Sequence, residues 1–201
     1  MLTLRHKTIA SFSPSSMRIF YCIIILALML CSCSLSDTGA QAYVDAISEA
    51  IKKTEPDTAA LKKIRNEISE QHDSELNSAV YNSTHDSTLN VRAMALVLTH
   101  APENVADTLL KKPTKEFARE IYNAYMILGG REDYYRVMSA SQSRFDSMEP
   151  DAQAAVLASY LTPEQIAAGI EDTDRDLTDA LRRFYASTPS DLRRFEQTLG
   201  D

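Results

Sequence analysis

Ten consecutive residues, Leu89 to Leu98, constrain the fold more than any other stretch of this chain. Val91, Ala93, Met94, Ala95, Leu96, Val97 and Leu98 leave almost no polar face. A helix that is apolar nearly all round is stable in water only when other helices surround it. The segment is therefore expected at the centre of a helical domain.

The flanking sequence supplies the helices that would surround it. A first helix is expected from about Gly39 to Lys53, with Tyr43, Ile47 and Ile51 four residues apart on one face. Thr54-Glu55-Pro56-Asp57 reads as a helix start, and Leu61, Ile64 and Ile68 form the stripe of the helix that follows. A shorter helix around Ser74 to Tyr81 ends in the polar loop Asn82 to Ser87. Pro102 opens another, whose Val105, Leu109 and Leu110 face inward, and Lys111-Lys112-Pro113 closes it. Thr114 to Leu128 carries Phe117, Ile121, Tyr125 and Leu128 on one side and stops at Gly129-Gly130. Glu132 to Asp146, with Tyr134, Val137, Met138 and Phe145, is expected to fold back on it.

The last third repeats this grammar. Ser147 and Pro150 start a helix with Ala155, Val156, Tyr160 and Leu161 as its apolar residues. Thr162-Pro163-Glu164-Gln165 is a capping box with proline at the first position, leading into Ile166 and Ile170. Thr173 is the expected cap of a helix burying Leu177, Leu181 and Phe184, and Thr188-Pro189 opens a last one with Leu192, Phe195 and Leu199. No segment alternates with period two between turns. The fold class is all-α, about ten short helices in antiparallel hairpins forming a compact stack or an α-solenoid over residues 40–201.

Within that solenoid reading, Thr114 to Met148 resembles a tetratricopeptide hairpin. Tyr125 stands for the first aromatic, Leu128-Gly129 for the Leu-Gly pair, Ser141 for the small residue, Phe145 for the second aromatic and Pro150 for the terminal proline. Glu132 breaks the pattern where an aromatic belongs, and a shift of about 34 residues finds no second copy. The resemblance implies one helical hairpin and no family for the whole chain.

The amino-terminal segment gives an address. Arg18 precedes an unbroken apolar run from Ile19 to Leu30, which is short for a bilayer span and has the build of a secretory signal peptide. Leu30-Cys31-Ser32-Cys33 resembles the lipobox of bacterial lipoproteins cleaved by signal peptidase II. Leu30 matches the aliphatic position, Ser32 the small one and Cys33 the lipid acceptor, while Cys31 departs from the usual Ala, Ser or Thr. The resemblance implies a signal peptide over 1–32, acyl chains such as palmitate on Cys33 and a tether over 33–39. Ser34 in place of Asp after the cysteine implies the outer membrane of the cell envelope. A plain signal peptide and an N-terminal anchor helix are the alternatives. Residues 1–16 are either a long basic leader or lie before the true start at Met17.

Once 1–32 is set aside, three of the 21 basic residues leave and none of the 28 acids does, so the remaining 169 residues carry a net charge of −10. That balance argues against a nucleic-acid partner, which needs a basic stripe, and against lying flat on anionic lipid. Membrane contact is then expected through the acyl chains alone. All three cysteines, Cys22, Cys31 and Cys33, lie in or at the end of the leader, so the domain holds no disulfide, thiol catalyst or thiolate metal cluster.

Several residue groups resemble chemical motifs but have plainer roles. Asp172, Asp174 and Asp176 begin like a calcium loop, yet Leu177 occupies the glycine position and Arg183 the position of the bidentate acid. An acidic first turn facing a helix dipole is the better reading. His72-Asp73, His85-Asp86 and His100 resemble the ligands of all-α metal phosphohydrolases, but His85-Asp86 sits in a polar loop and the other two imidazoles fall at helix ends. Glu116 and Glu120 read as solvated neighbours one turn apart, with no sign of a substrate cleft between them. No G-x-S-x-G, S-x-x-K set or glycine-rich phosphate loop occurs, and no cofactor or metal is expected.

The candidate contact residues are Tyr122, Tyr125, Arg131, Tyr134, Tyr135 and Arg136, which flank the Gly-Gly turn and cannot all face a core at these spacings. Tyrosine and arginine dominate interface energetics. Two readings follow: a non-catalytic helical module that binds a partner protein in the envelope, or an enzyme or small-ligand carrier whose site converges only in the folded chain.

Overall fold

The computed structural model describes residues 39–71, 73–170 and 174–200. Eleven helices are present among them: α1 (39–51), α2 (Thr58–Glu70), α3 (Ser74–Asn82), α4 (Leu89–Thr99), α5 (Pro102–Lys111), α6 (Lys115–Leu128), α7 (Arg131–Asp146), α8 (Pro150–Tyr160), α9 (Pro163–Ala167), α10 (Arg175–Tyr185) and α11 (Pro189–Leu199). No strand occurs among the described residues, so the all-α class stands. No described helix is long and apolar enough to cross a membrane. Leader, lipobox and Cys33 lie outside the described residues, as do His72, Asp172 and Thr173.

Side-chain caps set five of the starts, those of α2, α3, α6, α9 and α10. Asp57 accepts from the Ala60 amide at 3.0 Å, Asp73 from Glu75 and Leu76 at 2.8 and 3.2 Å, and Thr114 from Phe117 at 3.2 Å. The expected capping box is formed in full: Thr162 Oγ accepts from the Gln165 amide at 3.3 Å and Gln165 Oε1 from the Thr162 amide at 3.0 Å. Two starts differ from expectation. Pro56 precedes the cap of α2, which is Asp57 itself, because the carboxylate reaches the third amide along. The cap of α10 is Asp174, whose Oδ1 accepts from Leu177 at 3.3 Å.

Helix α6 ends in a Schellman turn. Gly129 takes φ +71°, its amide donates to Met126 and the Gly130 amide donates to the Tyr125 carbonyl at 2.9 Å. Helix α7 then leaves the turn, but its most extensive packing is with α5, while α6 packs most on α4. This alternate-neighbour rule recurs at α8 with α10 and α9 with α11. The hairpin expected from Thr114 to Met148 is thus present in sequence order, and each arm finds its larger partner elsewhere.

Packing separates the apolar residues into two cores. The first draws on α1 to α7, with Ile47, Leu61, Ile68, Leu96, Ile121 and Val137 fully buried. Helix α4 runs through it, buried from Ala93 to Thr99 as its sequence demanded. The second core, in α8 to α11, is built on Ala154, Ile166, Leu181, Tyr185 and Phe195. Two hydrogen bonds tie the start of the second unit to the first: Tyr160 Oη donates to the Leu109 carbonyl at 3.1 Å and Gln153 Nε2 to the Phe145 carbonyl at 2.9 Å. Some expected core residues lie elsewhere. Phe184 is exposed while its neighbour Tyr185 is buried, Met138 and Leu161 are exposed, and Leu110 and Ala155 are half-buried. Beside Phe184, Met138, Leu110 and Ala155 the adjacent Tyr185, Val137, Leu109 and Ala154 take the buried stripe, whereas Leu161 lies just past the end of α8.

Candidate functional site

The Gly-Gly turn brings the end of α6 against the start of α7 and stacks three of the candidate tyrosines. Tyr134 meets Tyr122 edge to face at 5.2 Å between ring centres and Tyr125 at a tilted 6.0 Å. Edge contacts of this kind place the positive rim of one ring on the negative face of another. Gly130 is needed beneath them, since a Cβ there would sit 3.2 Å from the Tyr125 ring.

The six candidate contact residues divide into three kinds. Tyr122 and Tyr135 are 45% and 63% exposed and present their rings outward, and Arg131 is exposed one helical turn before Tyr135. Tyr134 is half-buried between its two aromatic neighbours. Tyr125 is only 2% exposed and belongs to the core, so it supports the face without forming part of it. Its hydroxyl has no hydrogen-bond partner among the described residues, and burial, helped by the Asp133 carboxylate, pushes its pKa up to about 12.

Arg136 is exposed but engaged within the fold. It donates to Glu103 on α5 at 2.9 Å and meets Asp133 at 3.4 Å, and Asp133 also receives Arg65 from α2 at 3.3 Å. The resulting ladder, Arg65–Asp133–Arg136–Glu103, joins three helices below the tyrosines. The Glu103 carboxyl is held below its usual range, first by its own backbone amide and then by Arg136, and the hydrogen bond to Glu103 raises Arg136 in turn. Arg144 extends the same seam to Asp107 at 3.0 Å.

Met138 was missed as a surface residue. It is 48% exposed, one helical turn beyond Tyr134 and three residues beyond Tyr135, so it widens the aromatic face along α7. The apolar count of α7 was the available signal: only Val137 is buried on a helix of 16 residues. A cleft of about 520 Å³ between the end of α7 and the second unit also has no counterpart among the expected sites. Phe145, Leu157, Leu161, Ile166 and Leu177 line it, with Gln165 and Asp174 as polar members. These residues come from four helices, and their convergence has no linear signature.

The two described histidines, His85 and His100, are not gathered. His85 is exposed and meets only its neighbour Asp86, at 2.9 Å. His100 packs edge-on against Tyr81, and burial lowers its pKa. Its Nδ1 lies 2.6 Å from Thr99 Oγ, whose single proton is donated to the Ala95 carbonyl at 2.7 Å. Nδ1 therefore carries the imidazole proton and donates it to the hydroxyl. Among the described residues no group of three His, Cys, Asp or Glu side chains could hold a metal ion.

No protein-family model, no curated protein and no solved structure matches the chain. What it does must be read from its own residues and geometry.

Proposed function

We propose that the chain is a non-catalytic helical interaction module of the bacterial cell envelope, held at the outer membrane by acyl chains on Cys33. The observation that carries the interaction reading is the aromatic face at the start of α7. Tyr122, Tyr135 and Met138 offer exposed apolar area, and the parts beneath them are already rigid: the Schellman turn, buried Tyr125 and the ion ladder. Large side chains with few torsions on a preformed base contribute contact area at low ordering cost. Arg131 beside them adds a cation of the kind enriched at such contacts.

Anchoring is supported by the sequence from Arg18 to Cys33, and the acidic remainder of the chain leaves acyl insertion as the natural membrane contact. The test places a photocrosslinking residue at exposed Ser139, one turn beyond Tyr135, with exposed Gln197 on α11 as the control position. The expected result is one envelope protein captured in stoichiometric amount at 139, not at 197, and lost in Cys33→Ala. The interaction reading is refuted if no product forms or if both positions yield the same scatter. Metabolic incorporation of alkyne-palmitate checks the anchor separately, since it must vanish in Cys33→Ala.

A further inference from the structure

Glu120 occupies an environment that its sequence position concealed. Glu116, one turn earlier on α6, is exposed, whereas the Glu120 side chain is only 18% exposed and lines a cavity of about 370 Å³. The cavity lies between α4, α6 and the turn from α1 to α2. Ile51, Pro56, Met94 and Ile127 give it apolar walls, and Asn90 and Asn123 are its other polar members. A charge that is partly withdrawn from solvent interacts more strongly with a partner than one at the open surface.

The carboxylate is incompletely matched. Arg119, its only ion partner among the described residues, is 69% exposed and touches Oε1 alone, through Nε at 3.2 Å and Nη2 at 3.1 Å. Oε2 receives the neutral Asn123 amide at 3.2 Å. That bond fixes the orientation of the Asn123 amide, because its nitrogen must face the carboxylate, and no described residue donates to its carbonyl oxygen. One carboxylate oxygen with spare capacity and one amide oxygen are thus left beside an apolar chamber.

We infer that this cavity binds a primary alkylammonium group, the head on Glu120 Oε2 and Asn123 Oδ1 and the alkyl chain against Met94 and Ile127. An ammonium offers three donors and no acceptor, which suits two acceptor oxygens. An anion would meet Glu120 unfavourably. A hard metal cation would require more oxygen ligands than one carboxylate and two amides supply. The net charge of −10 over residues 33–201 adds a general attraction for cations. The head can come from a free aliphatic amine or from a lysine side chain of another protein, and the site stands independently of the tyrosine face.

The full chain labelled with ¹³C-methyl methionine provides the readout, since Met94 and Met126 both line the cavity. Titration with n-hexylammonium chloride should shift these two methyl signals saturably, and n-hexanol and n-hexanoate should not. Glu120→Gln should weaken binding by about tenfold or more, the scale of a lost charge-assisted hydrogen bond, while Arg119→Ala should bind as well or better. Circular dichroism confirms folding, and Asn123→Ala, expected to weaken binding more modestly, serves if Glu120→Gln unfolds. An Nα-acetyl-lysine methylamide arm separates the sources: equal binding supports a lysine-borne head, and binding of hexylammonium alone supports a free amine. Absence of a saturable shift, equal response to n-hexanol, or unchanged affinity in both Glu120→Gln and Asn123→Ala would overturn the site.

Discussion

Replacing Phe195 by alanine should melt the second unit and leave the first folded. Phe195 is fully buried, its ring 5.9 Å from that of Tyr185, in a core that rests on few large side chains. Truncating a buried aromatic to alanine costs about 3–5 kcal/mol. A unit of about 50 residues, at the usual ~0.05–0.15 kcal/mol per residue, holds roughly 2.5–7.5 kcal/mol. The loss is therefore comparable with the whole local stability. The hydrogen bonds from Tyr160 to Leu109 and from Gln153 to Phe145 join the units, and at about 1 kcal/mol each they are too weak to share the damage. Amide exchange read by mass spectrometry should show α9, α10 and α11 losing protection while α4 and α6 keep theirs. Ile121→Ala, in the first core, should give the converse pattern. A uniform loss of protection in Phe195→Ala, or a cost below about 1 kcal/mol, would refute the division into two cores.

Two further outcomes follow from the turn between α6 and α7. Gly129→Ala should cost about 1 kcal/mol in urea denaturation, entirely from the left-handed φ of +71°, since an added Cβ there meets nothing within 4 Å; Gly129→Asn should recover part of it. Tyr125 is protonated more tightly when folded, with its pKa raised from 10.0 to about 12. Its contribution is then complete below pH 10 and is lost as pH rises toward 12, at a slope of about 1.4 kcal/mol per pH unit. Tyr125→Phe should make the fall in stability at alkaline pH shallower, the Tyr134, Tyr160 and Tyr185 hydroxyls, also raised by burial, keeping the remainder. It should leave stability at neutral pH unchanged or higher, because the buried hydroxyl it removes has no described partner. Denaturation midpoints across pH 7 to 12 measure both effects.

Much of the fold was legible because its signals are local. The capping box at Thr162, the Gly-Gly stop and the all-round apolar segment from Leu89 each act within one or two turns, and each appears where expected. Errors arose where neighbouring residues compete for one buried stripe. Phe184 and Tyr185 are both aromatic, and which faces inward depends on the placement of α11, whose Phe195 contacts Tyr185. The same holds for Tyr125 among the tyrosines of the contact face: its spacing from Ile121 and Leu128 marked it as core, and only packing decides that Tyr122 stays out. The fold-back of α7 on α6 is present, but their larger partners, α4 and α5, have no local signal. A tight turn guarantees that two helices meet, and it leaves open which other helix covers more of each. Glu120 was hidden by Glu116, since a periodic pattern of acids does not show which of them lies over a cavity.

The alternate-neighbour packing imposes an order on assembly. Helix α4 is complete at Thr99, but α6, the helix that covers it most, is not finished until Leu128 has joined the chain. Any shorter product carries the most apolar segment of the domain without its main cover, and exposed apolar surface of that kind drives association between chains. Truncations ending in α5 are thus sticky intermediates, whereas a boundary after α7 closes the first core. The segment that dictates the helical fold also sets how far the chain must extend before its first core is covered.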